Sequence, residues 1–383
     1  MISAVMIAIG VISIAATAML NPNQLWANLL WNNFYFMAIA LAALFFVAVQ
    51  YVARAGWSAA IMRVPEAMMT YLWVAMPIML IIVLVGGHNI YHWMHHDLVD
   101  PKSPEYDKII AGKSAFLNMP FFMIRVVAYC VIWMGAAFLF RKYSLAEDTE
   151  GGASNYHKST RVAIFFLILF AGTSSTMAWD FIMSIDSHWF STLFGWYTFA
   201  GLFVSGMNML GLLLVYLKRK GYMPEISEHH IHDVGKFMFA FSIFWTYLWF
   251  AQYMLIWYAN LPEEVVYFIT RLDHYRITLF AAFFLNFVIP FMVLMTRDAK
   301  RKMVILTIGG TIIFIGHWLD TFNMVVPGIM TQHNSQWQIS WMEVGTTIGF
   351  LGLFLFWTLN MLSKAPLLRK NHPMMVESLH HSI

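Results

Sequence analysis

The sequence predicts an all-α polytopic membrane protein: about ten transmembrane helices in one integral-membrane bundle over residues 1–383, with both termini cytoplasmic. Three observations carry this. Of 383 residues, 60% are hydrophobic and only 11% are charged, whereas a soluble domain carries charge on about a quarter of its residues. The apolar stretches run to about 20 residues, the length that crosses a bilayer as a helix, and helices satisfy their own backbone hydrogen bonds in lipid where open sheets do not. With ten spans, seventeen of the 23 Lys and Arg residues fall on the side of the termini, five fall on the other, and Arg125 lies within a span. The positive-inside rule then puts the termini in the cytoplasm, and a missed helix would scramble the asymmetry.

The spans are expected at about 2–19, 33–53, 67–87, 117–140, 161–182, 190–217, 236–258, 276–296, 303–323 and 340–362. The first, "MISAVMIAIGVISIAATAML", is similar to a signal peptide but lacks a basic start and a clear cleavage site, so it reads as a retained span followed by a polar loop. Glu66 marks the inner end of the third span, as a loop charge or a functional acid. Pro77 and Pro290 interrupt the third and eighth. His88, His92, His95 and His96 follow the third span. Spaced along one straight helix they do not converge on an ion, so the stretch reads as an amphipathic interfacial helix and not a metal site. Most of the 15 histidines lie in loops, at helix ends or in the tail, which argues against haem b. The single cysteine, Cys130, allows no internal disulfide and no CxxCH or cluster motif, so neither c-type haem nor an iron–sulfur cluster is expected on this chain.

Histidine, tryptophan and carboxylates concentrate in the loops on the side away from the termini. Asp180 closes the fifth span in "AWDFIMSIDSHWFSTLFGWY", roughly 28 Å along the helix from Arg161. It reads as a proton-accepting carboxylate, a solvated helix-end acid or half of an ion pair. Asp186 and His188 follow it, with Asp186 a candidate cap for the next helix. Arg125, roughly 12 Å deep in its span, needs a partner, and Asp180 and Asp320 are the candidates. "GHWLD" sets His317 and Asp320 at i and i+3, on one helix face, and His titrates near neutral pH. Glu343 starts the tenth span, where an acid favours the helix dipole. The seventh span repeats Trp245, Trp249, Tyr253 and Trp257 every fourth residue with Gln252 alongside, which is either packing or the wall of a flat quinone cavity.

Four stretches then carry a resemblance: "YVARAGWSAAIMRVPEAM", "DKIIAGKSAFLNMPFFMIRVVAY", the 178–197 stretch and "FWTYLWFAQYMLIWYANLPEE". The chain resembles the F subunit of bacterial alternative complex III, a quinol:cytochrome c oxidoreductase whose membrane subunits are similar to the NrfD-like anchor of polysulfide reductase. The resemblance covers nearly the whole chain, although a long insertion between the first two spans of some relatives is missing. It implies a multi-pass subunit of the bacterial inner membrane that binds no haem or cluster itself. The c-type haems and iron–sulfur clusters would sit on partner subunits: a multihaem cytochrome c, an iron–sulfur protein and a homologous quinol-oxidising membrane subunit, with lipids, a terminal oxidase and quinone or menaquinone as further candidates. No nucleic-acid partner is expected. On this reading the chain is not catalytic alone. Asp180, Asp186, His188, His317, Asp320, Arg125 and Glu66 are candidates for a proton path, with Asp180 and His317 foremost. Trp245, Trp249, Gln252 and Tyr253 are candidates for a quinone cavity. The competing readings are a purely structural scaffold and an autonomous transporter, which would show matched broken helices in two halves.

Overall fold

The computed structural model describes residues 1–333, 337 and 339–382. Ten helices are long and apolar enough to cross a membrane among these residues: α1 (Ile2–Leu20), α2 (Pro22–Val52), α3 (Arg63–Ile90), α4 (Met119–Glu150), α5 (Ser154–Phe181), α6 (Phe194–Arg219), α7 (Glu228–Ala259), α8 (Arg276–Leu294), α9 (Met303–Gln332) and α10 (Trp341–Ser363). The protein is a polytopic helical membrane protein.

Several helices outrun their apolar windows. The stretch after α1, expected as a polar loop, is instead the first third of α2. Pro22 at its first turn suits a helix start, because the missing N–H is unpaired there anyway. Its amides are buried and held by neighbouring helices. Asn28 Nδ2 donates to Thr346 at 3.2 Å, Asn33 Nδ2 to the Ala75 carbonyl at 3.0 Å, and Asn32 Oδ1 accepts from Thr347 at 2.6 Å. Buried polar groups are tolerated when bonded, and hydropathy cannot see the bonding partner. Likewise α9 continues to Gln332, past the span end expected at about 323; of the stretch before α10, residues 334–336 and 338 lie outside the described residues.

Two smaller expectations also fail. The histidine stretch is no single interfacial helix: α3 ends at Ile90, and His92–Met94 and His96–Leu98 form separate 3-10 turns. Asp186 caps no helix, since α6 starts at Phe194 behind Leu193. Glu343 does sit in a helix start, where its carboxylate accepts from the Ser340 backbone N–H at 2.7 Å in a capping box.

Helices α2–α5 form one group and α6–α9 a second, joined where α2 meets α6 and α9 and where α5 meets α6. The posts at this seam, α2 and α6, are almost wholly buried. Small residues let the backbones close. A Cβ on Gly206 of α6 would stand 2.2 Å from Ala42 Cβ of α2. The remaining helices, α1 and α10, pair through Gly10 against Gly349 and Ser13 against Gly345. Lipid gives apolar side chains no reason to leave it, so such close packing is what holds membrane helices together. Both α4 and α8 contain a π turn, Cys130–Met134 and Phe284–Val288. The second holds Asn286, whose amide packs against Gly316 of α9.

Candidate functional site

The acids on the face away from the termini do not form one layer. They resolve into three separate arrangements.

In the first, Arg125 of α4 and Asp180 of α5 form a buried ion pair. Arg125 Nε lies 2.9 and 3.1 Å from the two carboxylate oxygens, and Nη2 lies 2.7 Å from Oδ1. The Tyr129 hydroxyl donates to Asp180 Oδ2 at 2.5 Å. The guanidinium is roofed by Phe116 and Phe121, at 3.9 and 4.4 Å to the ring centroids. Asp180 is fully buried. Of the two partners open to Arg125 from sequence, Asp180 is the one in contact, and Asp320 belongs elsewhere.

In the second, at the surface, His188 Nε2 meets Asp107 Oδ2 at 2.6 Å. Burial pushes the Asp107 carboxyl up, but the bonds from His188 and from the Ile110 and Ile109 backbone N–H groups outweigh it and hold the carboxyl below its ordinary range.

The third is a column through the second helix group. At its top Arg271, from the loop helix Pro262–His274, donates to Asp186 at 3.1 Å and to the Asn323 and Met324 carbonyls at 2.8 and 3.3 Å. Its guanidinium stacks 3.3 Å over Tyr267, whose buried hydroxyl is pushed up to about 12. Below Arg271 lies a cavity of about 20 Å³, lined by Arg271, Tyr267, Gln252, Trp249, Tyr197 and Asp320 among others. That is room for about one water. Asp320 forms its floor and is bound by neutral donors: the Tyr197 hydroxyl, and Trp245 Nε1 at 3.0 Å. His317 Nδ1 stands 3.8 Å from its Oδ2, and the buried His317 Nε2 has no protein partner. A second small cavity, about 10 Å³, lies against His317, Asp320, Ser205 and Tyr35. Deeper still are the amides of Asn286 and Asn208, buried with neither polar atom paired. By helix rise, Asn286 lies about 15 Å below the start of α8 and Asn208 about 21 Å below the start of α6. The column therefore runs from a partly exposed carboxylate at the membrane edge to the middle of the bundle.

Of the aromatic stripe on α7, Trp245 belongs to the column through Asp320, Trp249 and Gln252 line its water-sized cavity, and Tyr253 packs edge-on to Phe268 at 5.2 Å. The cavity that Trp249 and Gln252 line has room for about one water. Glu66 lies at the opposite end of the molecule. It is fully buried, bonded to Arg369 and to the Ser144 hydroxyl at 2.7 Å, with Arg63 at 3.5 Å and Arg141 at 3.7 Å. It anchors the C-terminal tail and has no contact with the other candidates.

Sequence reasoning missed Tyr197, Arg271, Asn323 and the two mid-bundle asparagines. Asn208 and Asn286 carried a usable signal, as isolated amides inside apolar runs; Tyr197 and Arg271 sit among interfacial residues of the same types and carried none. Comparison with protein-family models and with curated proteins finds no match for the chain.

Proposed function

We propose that the chain is a haem-free membrane subunit of a respiratory quinol:cytochrome c or oxidase electron-transfer complex of the alternative complex III type, and that Asp320 and His317 relay protons toward the face away from the termini. Quinol oxidation releases two protons with its two electrons, so a subunit of such a complex has use for a polar exit. The observation that supports Asp320 is its set of partners. A carboxylate clamped by a guanidinium, as Asp180 is, loses its ion pair when it takes a proton. Asp320 is held by two neutral donors and a histidine, with cavities on either side, so a proton can arrive and leave without breaking an ion pair. The haem and cluster subunits named by the resemblance are the partners this reading requires.

The test is purification through a tag on this chain, a redox spectrum, and quinol-oxidation turnover of the D320N and H317A complexes. Co-purified c-type haem reducible by quinol is expected, with turnover of D320N lowered by about a hundredfold, the low end for a positioned proton-transfer group. A colourless preparation would sink the oxidoreductase reading. Full turnover in an assembled D320N complex would sink the relay and leave the scaffold reading. That second reading is favoured by the closed Arg125–Asp180 pair and by the Glu66–Arg369 network.

A further inference from the structure

A pocket of about 200 Å³ lies where the chain enters α4 and leaves α5, lined by Lys113, Phe116, Leu117, Trp179, Ser184, Trp189 and neighbouring residues. Its polar groups are mostly donors. Lys113 Nζ gives one hydrogen bond to the Ser187 carbonyl at 2.6 Å and a long one to the Trp189 carbonyl at 3.5 Å. No carboxylate lies within ion-pair distance of it among the described residues. Asp107 acts on it only from farther off and is itself bonded to His188. Among the described residues the indole N–H groups of Trp179 and Trp189, both buried, have no partner. A cation held only by carbonyls and by the Phe190 ring, 5.6 Å away, with two orphan donors around one pocket, suits a ligand that brings acceptor oxygens and negative charge.

The walls say what else that ligand carries. Phe116 stands 6.0 Å from Phe121, the first of an exposed row on α4: Phe121, Ile124, Val127 and Val131 are 41%, 64%, 51% and 68% exposed. Spacings of three and four residues put these on one face, running from the pocket down the length of the helix. An anionic head at the membrane boundary with apolar chains below it is the shape of a phospholipid. A neutral ring would fill the pocket but leave the Lys113 charge uncompensated.

We propose that this pocket binds the phosphodiester headgroup of an anionic membrane lipid, with its acyl chains along the exposed face of α4. Lys113 supplies the charge, and Trp179 and Trp189, both in the lining, supply two unpartnered N–H donors. The site lies apart from the Asp320 column and does not depend on the function proposed above.

The full chain, purified in detergent, would be exposed to equal amounts of phosphatidylglycerol and phosphatidylethanolamine and examined by native mass spectrometry. One phosphatidylglycerol retained with about tenfold preference is expected, the scale of one charge-assisted hydrogen bond. K113Q should abolish the preference and K113R should keep it. Because Lys113 also holds the 187–189 turn, W179F gives the independent check: it removes one N–H to the phosphodiester, keeps the ring, and should lower the amount of phosphatidylglycerol retained several-fold. Equal retention of both lipids, an unchanged preference in K113Q, unchanged phosphatidylglycerol retention in W179F, or a quinone retained in place of lipid would each overturn the assignment.

Discussion

The Arg125–Asp180 pair allows the sharpest test of how this bundle is held together. Three short nitrogen–oxygen contacts and the Tyr129 hydroxyl satisfy the carboxylate, and the whole arrangement is buried. Removing one partner strands a charge in a low-dielectric interior, at a cost of about 3–5 kcal/mol. Asp180→Leu and Arg125→Met should each lose that much. Removing both partners strands no charge. Arg125→Met with Asp180→Leu fills the same space with apolar atoms and leaves only the Tyr129 hydroxyl without its acceptor, at about 1–3 kcal/mol. The two single losses add to about 6–10 kcal/mol, so the double variant should fall short of additivity by at least about 3 kcal/mol. Reversible unfolding by SDS titration in mixed micelles, followed by tryptophan fluorescence, measures all four species. Single losses below about 1 kcal/mol, or a double variant equal to the sum, would refute the claim that the pair is a desolvated structural unit.

Two further outcomes follow from other parts of the molecule. His372, in the tail after α10, is buried beside Arg369 and Arg63, its Nδ1 accepts the Met374 backbone N–H at 3.2 Å, and burial with those two cations pushes its pKa down to about 3. A folded pKa below the unfolded value of about 6.5 means the undocked tail takes up the proton first, so docking is at full strength above about pH 6.5 and weakens as pH falls, by about 2 kcal/mol at pH 5. Hydrogen exchange of residues 366–380 should therefore accelerate between pH 7 and 5 beyond the intrinsic rate change, and His372→Gln should remove that excess; an unchanged protection ratio would contradict it. At the α1–α10 seam, a Cβ on Gly349 would stand 2.4 Å from the Gly10 Cα, so Gly349→Val should cost about 1–3 kcal/mol by overpacking in the same SDS titration, and a loss below about 0.5 kcal/mol would show that the two helices part freely.

Much of the architecture was legible because a bilayer imposes one dominant constraint. Ten apolar windows predict ten spans, and ten long helices are found. Their ends were harder to read, since a helix stops where its backbone loses partners and not where its side chains turn polar. Asn28 and Asn32 look like a loop in sequence and are helical because Thr346 and Thr347 meet them. The candidate site divided along the same line. The i, i+3 pairing of His317 with Asp320 is local and was visible. The pairing of Asp186 with Arg271, 85 residues apart, is not local and left no trace.

By itself the sequence determined that this chain crosses a membrane about ten times, that most of its Lys and Arg fall on the side of the termini, and that Arg125 needs a buried acid. Hydropathy and helical period are properties of a segment, so a segment is enough to show them. Only the tertiary structure decided which acid is paired with a guanidinium and which with neutral donors. Asp180 and Asp320 look alike in sequence, each closing or interrupting an apolar run. The fold puts a guanidinium against one and neutral donors with a histidine against the other. What a carboxylate can do with a proton depends on the groups within about 4–6 Å of it, and here those groups come from other helices.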